Sequence, residues 1–109
     1  MTHDEMSALI GTYLHKYRAW PYPALVHAIE HTDTLGDSPS VYLERTDFLM
    51  PSGESCMLEI EALWDSDPDG DIRVMAFLFI DGGVPEFGGY TCNDSDDFIM
   101  APDGSFIGE

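Results

Sequence analysis

The chain has 109 residues, of which 44% are hydrophobic, and its 21 acidic residues against only 4 lysines and arginines give a formal charge of −17. This length suits a single domain, residues 1–109, and the apolar share excludes intrinsic disorder. So few basic residues exclude nucleic acid and anionic membrane surfaces as partners.

The amino-terminal part, residues 1–32, has the periodicity of helices. An apolar stripe with helical spacing consists of Met6, Leu9, Ile10, Tyr13, Leu14 and Tyr17. Thr2 and Glu5 have the spacing of a capping box, which predicts the start of this helix. Pro21 and Pro23 end it, and Pro23 favours the first turn of a second helix that ends near His31.

The acidic remainder, residues 40–109, has the alternation of strands. One face of residues 56–64 carries Leu58, Ile60, Ala62 and Trp64, and the other carries Glu59 and Glu61. Turn-forming residues 65–71 and the nearly continuous apolar run of residues 72–80 complete a hairpin, whose second strand is predicted to be buried on both faces.

Three further segments are predicted from weaker sequence patterns. Residues 41–50 form a strand, although Glu44 and Arg45 on opposite faces leave its orientation open. Residues 97–100 and 105–107 form a terminal hairpin, and residues 81–92 form a loop with an edge strand near Tyr90. The predicted fold class is therefore α+β, with two amino-terminal helices packed on one face of a mostly antiparallel sheet of four to six strands.

The cysteines and the apolar runs indicate the compartment. Cys56 and Cys92 lack the C-x-x-C spacing, which favours small buried apolar residues in a reducing cytosol. No basic segment leads into an apolar one at the start, and no apolar run approaches the roughly 20 residues of a membrane span. The protein is predicted to be soluble and cytoplasmic.

Two short motifs have the spacing of metal ligands. His27, Glu30 and His31 fit the H-x-x-E-H pattern of inverted zinc peptidases, although a third ligand is missing and two solvent-facing histidines on the polar side of a helix are the favoured explanation. Asp65, Asp67 and Asp69 open a calcium-loop pattern, but its twelfth position is Ala76 instead of glutamate. The chain is predicted to need no cofactor unless one of these motifs binds Zn²⁺ or Ca²⁺.

Other catalytic patterns are weak. Glu59 and Glu61 stand roughly 7 Å apart along one strand face, a separation that suits paired acid and base chemistry on glycosides. A raised pKa of one carboxyl would be its sign. No nucleophile elbow or phosphate-binding loop is present, so we expect a protein that is not an enzyme.

The acidity favours a binding protein. We expect a small non-enzymatic protein that occludes a basic protein partner, as an immunity protein or a mimic of nucleic-acid charge does. The predicted contacts are Glu59, Glu61, Asp65, Asp67, Asp69 and Asp71, with Trp64 as an anchor unless it belongs to the core. The alternatives are a divalent-metal protein, a domain made acidic only for solubility, and a small-molecule pocket lined by Tyr13, Tyr17, Trp20 or Phe77.

Overall fold

The fold is known from a computed structural model that describes residues 2–50, 53–80 and 93–109. Two helices, α1 (His3–Arg18) and α2 (Tyr22–His31), precede the strands β1 (Val41–Leu49), β2 (Ser55–Trp64), β3 (Ile72–Ile80) and β4 (Asp94–Met100). The strands pair antiparallel in the order β1-β2-β3-β4. The α+β class is confirmed, and within the described residues the predicted four to six strands narrow to four.

Both helices begin where the sequence predicts, and each buries its predicted apolar side. Thr2 accepts a hydrogen bond from the backbone N–H of Glu5 at 3.2 Å, and the reciprocal contact completes the capping box. Ile10, Leu14 and Tyr17 of α1 are buried, and Leu25 is the buried residue of α2. Neither helix in this part of the chain is both long and apolar enough to cross a lipid bilayer.

The two helices pack on one face of the sheet, which we call the inner face. Helix α1 contacts β3 and β4, whereas α2 contacts β1 and β2. Alternate strand residues are buried beneath them, namely Val41, Cys56, Leu58, Ile60, Ala62, Ile72, Val74, Ala76, Leu78, Phe98 and Met100. The strand alternation predicted for residues 56–64 is confirmed, with Leu58, Ile60 and Ala62 inside.

A β-bulge sets the orientation of β1. Tyr42 pairs with Glu61, but the next pair joins Glu44 to Ile60, so Leu43 is an extra residue in β1. The alternation resumes one residue out of step, which places Glu44 on the inner face and Arg45 on the opposite face. Since a bulge displaces every later side chain, the sequence alternation alone left this orientation open.

Burial of β3 on both faces is a wrong prediction. Its inner residues are fully buried, whereas Arg73, Met75, Phe77 and Phe79 on the other side are only partly buried. The helices cover one face of the sheet, and no described element packs on the other. We call that second side the outer face.

The terminal hairpin differs from its prediction. Strand β4 begins at Asp94 and pairs with β3, but residues 105–107 do not form a second strand. The tail returns through a turn at Gly104 and meets the sheet at one bridge between Met100 and Phe106. The Phe106 ring packs edge-on against Phe98, which anchors the tail beside α1. The predicted loop and edge strand at residues 81–92 lie outside the described residues.

Candidate functional site on the outer face

The outer face combines apolar side chains with carboxylates. Its apolar members are only partly buried and belong neither to the core nor to the shell packed around it: Met57, Leu63, Met75, Phe77, Phe79 and Ile99. Glu59 pairs with Phe77 across the β2–β3 ladder, and Glu61 pairs with Met75. Two carboxylates in mid-sheet are therefore flanked by apolar side chains that no described element covers.

Glu59 is unusually buried for a carboxylate on a sheet face that no described element covers, because only 9% of the residue is exposed. Its Oε1 accepts a hydrogen bond from the Tyr42 hydroxyl at 3.3 Å and lies 4.0 Å from the Arg45 Nε. Burial and the neighbouring charge of Glu61 raise the pKa of Glu59, and these effects outweigh Tyr42 and Arg45. The ionised form of Glu59 is therefore poorly compensated by its own chain.

Glu61 has a different environment. Its Oε1 accepts a hydrogen bond at 2.7 Å from the hydroxyl of Ser40, which precedes β1 and is itself buried. The two glutamates share one strand face, as the sequence predicts, and Glu59 has the raised pKa that paired acid–base chemistry needs. No element in the described part of the chain covers the face on which they lie, and neither glutamate lines the cavity at the end of the β1–β2 hairpin.

The four predicted aspartates lie at the end of the β2–β3 hairpin. Asp65 and Asp71 close the hairpin through a backbone hydrogen bond of 2.8 Å, and Asp69 adopts a left-handed conformation in the turn. Asp65 lies four residues beyond Glu61, or roughly 13 Å along an extended chain. The predicted acidic residues thus form two separate groups.

The hairpin aspartates are partly neutralised or fully solvated. Arg73 donates a hydrogen bond of 2.9 Å to Asp65, and its other arm contacts Asp97 of β4. Asp67 and Asp69 are exposed, and the carbonyl of Gly70 next to them accepts a hydrogen bond of 2.7 Å from Tyr22. The turn is held by α2, so it presents its aspartates in a fixed position.

Trp64 does not lie on the outer face. It is partly buried and packs against the hydrophobic core on the inner face. The aromatic and sulfur-containing side chains beside the glutamates are instead Phe77 and Met75 of β3. Sequence reasoning missed them as contact residues, although the nearly continuous apolar run of residues 72–80, broken only by Arg73, was the signal for an apolar outer face.

The residues predicted to line a small-molecule pocket lie on opposite faces of the sheet. Tyr17 is buried in the core with Tyr13 and Trp20 packed against it, whereas Phe77 lies on the outer face. A cavity of about 420 Å³ lies at the end of the β1–β2 hairpin, partly on the outer face. Its lining is Arg45, Asp47, Phe48, Leu49, Ser55, Cys56, Met57 and Phe79.

The metal-like motifs remain incomplete among the described residues. No group of three or more His, Cys, Asp or Glu side chains there is arranged to hold an ion. His27 and His31 stack on the exposed side of α2 with ring centroids 4.1 Å apart. Cys56 is buried in the core and forms no disulfide within the described ranges, while Cys92 lies outside them.

Burial of Glu59 has a measurable cost to the fold. We expect Glu59→Gln to raise the free energy of unfolding at pH 7, because a carboxyl whose pKa is raised by folding favours the unfolded chain once it is ionised. The gain should disappear below the usual glutamate pKa of about 4.3, where both states bind the proton. Urea unfolding across pH measures it, with the exposed Glu30→Gln as the control. A variant less stable than the wild type at pH 7 would contradict the expectation.

No protein-family model matches the chain, and comparison with curated proteins and with solved structures finds no match.

Proposed function

We propose that this protein binds a basic protein partner through the outer face of its sheet and occludes the partner's cationic surface. One observation carries the proposal. Strand β3 is apolar on its inner side and, except for Arg73, on its outer side, yet the described part of the chain covers only the inner side. A partly exposed apolar strand surface in a soluble domain is the usual mark of an interaction site.

The charges on this face determine what kind of partner suits it. Glu59 and Glu61 lie at its middle, and the partial compensation of Glu59 comes from an exposed arginine 4.0 Å away. A cation on the partner would compensate a carboxylate that is already desolvated, so little further solvation is lost on binding. The overall charge of −17 would also steer a basic protein toward the complex.

A second copy of the chain fits this face poorly. Packing two outer faces together would bring Glu59 and Glu61 of one copy close to the same glutamates of the other. Such like-charge contacts in a desolvated interface are strongly unfavourable. A basic partner therefore agrees with both the apolar and the charged residues of the face, whereas self-association agrees only with the apolar ones.

The contact we propose has a charged centre and an apolar surround. An arginine or lysine of the partner lies between Glu59 and Glu61, while Met75 and Phe77 provide the apolar contacts beside it. If the partner is a nuclease, the carboxylates occupy the positions that phosphates of its substrate would take. The aspartates near Asp67 and Asp69 then act at longer range, on encounter more than on the bound state.

A pull-down from native lysate at low salt tests the proposal, with release by a salt step. We expect one basic protein in stoichiometric amount, retained by the wild type and lost with Glu59→Gln/Glu61→Gln. The matched control is Glu30→Gln/Asp33→Asn, which removes the same charge from exposed positions on the helix side. Equal loss of the captured protein with both double variants would show that binding depends only on net charge. Equal retention of that protein by both variants would exclude the outer face as the binding site.

The paired glutamates also suit an acid–base enzyme, and the raised pKa of Glu59 is the observation that favours this second function. Hydrolysis of a glycoside needs a cleft that holds the sugar between the two carboxyls. The described residues do not form such a cleft around Glu59 and Glu61, because the cavity at the end of the β1–β2 hairpin is lined by neither of them, so we rank this function second. Glycosidase activity that disappears with Glu59→Gln would reverse the ranking.

A further inference from the structure

The exposed side of α2 carries a pair of histidines that the proposed function does not use. His27 and His31 are one helical turn apart, and both are exposed. Their rings lie nearly parallel, at 17°, with centroids 4.1 Å apart. The helix therefore holds two solvent-exposed imidazole rings side by side, so the two histidines need not act as separate surface residues.

The protonation of His31 follows from its hydrogen bond. Its Nδ1 lies 2.9 Å from the backbone carbonyl oxygen of His27. A carbonyl oxygen only accepts, so the proton must be on Nδ1, and in the neutral ring the lone pair is then on Nε2. A ring nitrogen bound to a metal ion is commonly supported in this way, by donation from the other nitrogen to a carbonyl or carboxylate.

We propose that His27 and His31 form a two-histidine site for a divalent transition-metal ion of the zinc type. Bonds from Zn²⁺ to imidazole nitrogens of roughly 2.0–2.1 Å place two tetrahedral ligands about 3.3 Å apart. The two ring centroids lie 4.1 Å apart, and side-chain rotations that unstack the rings would bring one nitrogen of each to this separation. Water completes the coordination, because no group of three or more His, Cys, Asp or Glu side chains is arranged to hold an ion in the described ranges.

The position on α2 gives the site a structural consequence. His31 is the last residue of the helix, and Thr32 after it is extended, with φ −118°. An ion that joins His27 to His31 ties the final turn together and favours the folded helix, since a ligand that binds only the folded state stabilises it. The site lies on the helix side of the molecule, so it is independent of the outer face and of the basic partner.

Titration of the tag-free full chain with ZnCl₂, followed by calorimetry, tests the site. We expect one ion per chain, with affinity reduced about tenfold or more in His27→Ala and in His31→Ala, as for lost or weakened ligands. The control is His15→Ala, which removes an exposed histidine from α1 and should leave the affinity within about twofold of wild type. Zinc should also raise the thermal unfolding temperature of the wild type.

Nitrogen NMR of the histidine rings gives a readout that does not depend on stability. Zinc should shift the Nε2 resonance of His31, while its Nδ1 remains protonated. Far-UV circular dichroism of the metal-free variants checks that each still folds. Unchanged zinc affinity in folded His27→Ala would overturn the proposal, and so would equal losses in His15→Ala.

Discussion

Association with the proposed basic partner is expected to slow on the order of tenfold at low ionic strength when Glu59 and Glu61 are both changed to glutamine. The two carboxylates lie at the middle of the outer face, where an approaching cation feels them most directly. Removing them weakens long-range attraction, so the dependence of the association rate on salt should also become shallower. Stopped-flow or surface-plasmon measurements with the purified partner, from about 50 to 500 mM salt, give both quantities.

The dissociation rate carries separate information. Glu59 is almost buried before binding, so its pairing with a partner cation is expected to affect the lifetime of the complex. Single variants should therefore differ, with Glu59→Gln raising the dissociation rate more than Glu61→Gln, whose carboxylate keeps the Ser40 hydroxyl. The charge-matched control Glu30→Gln/Asp33→Asn tests the specificity of the face. An association rate reduced equally by both double variants would refute a defined site.

Replacing Glu44 by alanine is expected to cost about 1–3 kcal/mol of unfolding free energy, the usual penalty for leaving a buried hydroxyl without its partner. The Tyr17 hydroxyl donates to Glu44 Oε1 at 2.7 Å, and Lys16 and Thr46 each donate to the same carboxylate at 3.0 Å. This contact joins α1 to the edge strand β1. Urea or thermal unfolding at pH 7 measures the loss.

A double-mutant cycle separates this hydrogen bond from other effects. In a Tyr17→Phe background there is no hydroxyl that could lose its hydrogen-bond partner. Glu44→Ala should therefore lower the free energy of unfolding by clearly less than it does in the wild type. Additive effects of the two changes would show that Tyr17 and Glu44 do not depend on each other. Glu30→Ala on the exposed side of α2 is a control for removal of a carboxylate at the surface.

The pH dependence gives an independent check on Glu44. Burial alone would raise the pKa of Glu44, but hydrogen bonds from Tyr17, Lys16 and Thr46 outweigh burial and lower it. A carboxyl with a lowered folded pKa stabilises the fold above its unfolded value, about 4.3, and loses that contribution as the pH falls through the folded value. The stability difference between the wild type and Glu44→Gln should accordingly narrow as the pH drops below about 4.3.

Local sequence patterns predicted the elements because their causes are local. The capping pair Thr2 and Glu5 is three residues apart, and the α1 stripe repeats within one helix. Alternation in residues 56–64 placed Glu59 and Glu61 together on the outer face, as the strand pairing shows. Each of these features depends on neighbours within a few positions, so the sequence contains all that is needed to predict it.

The uncertain strand β1 shows where local pattern is insufficient. The bulge at Leu43 follows from pairing with β2, and only that pairing turns Glu44 inward to meet Tyr17. No spacing rule connects positions 17 and 44. Similarly, Arg73 joins Asp65 to Asp97 across two strands, so the charge of the hairpin is partly neutralised by a residue that sequence reasoning did not consider.

The sequence by itself determined the helices, the approximate positions of the four strands, the facing of β2, the acidity and the candidate glutamates, since periodicity and composition act over short distances. Tertiary structure alone decided which strands pair, and hence that Met75 and Phe77 lie beside Glu59 and Glu61 on a face that no described element covers. It also decided how far Glu59 is desolvated. Burial and charge compensation depend on residues brought together by packing, so no local pattern can predict them.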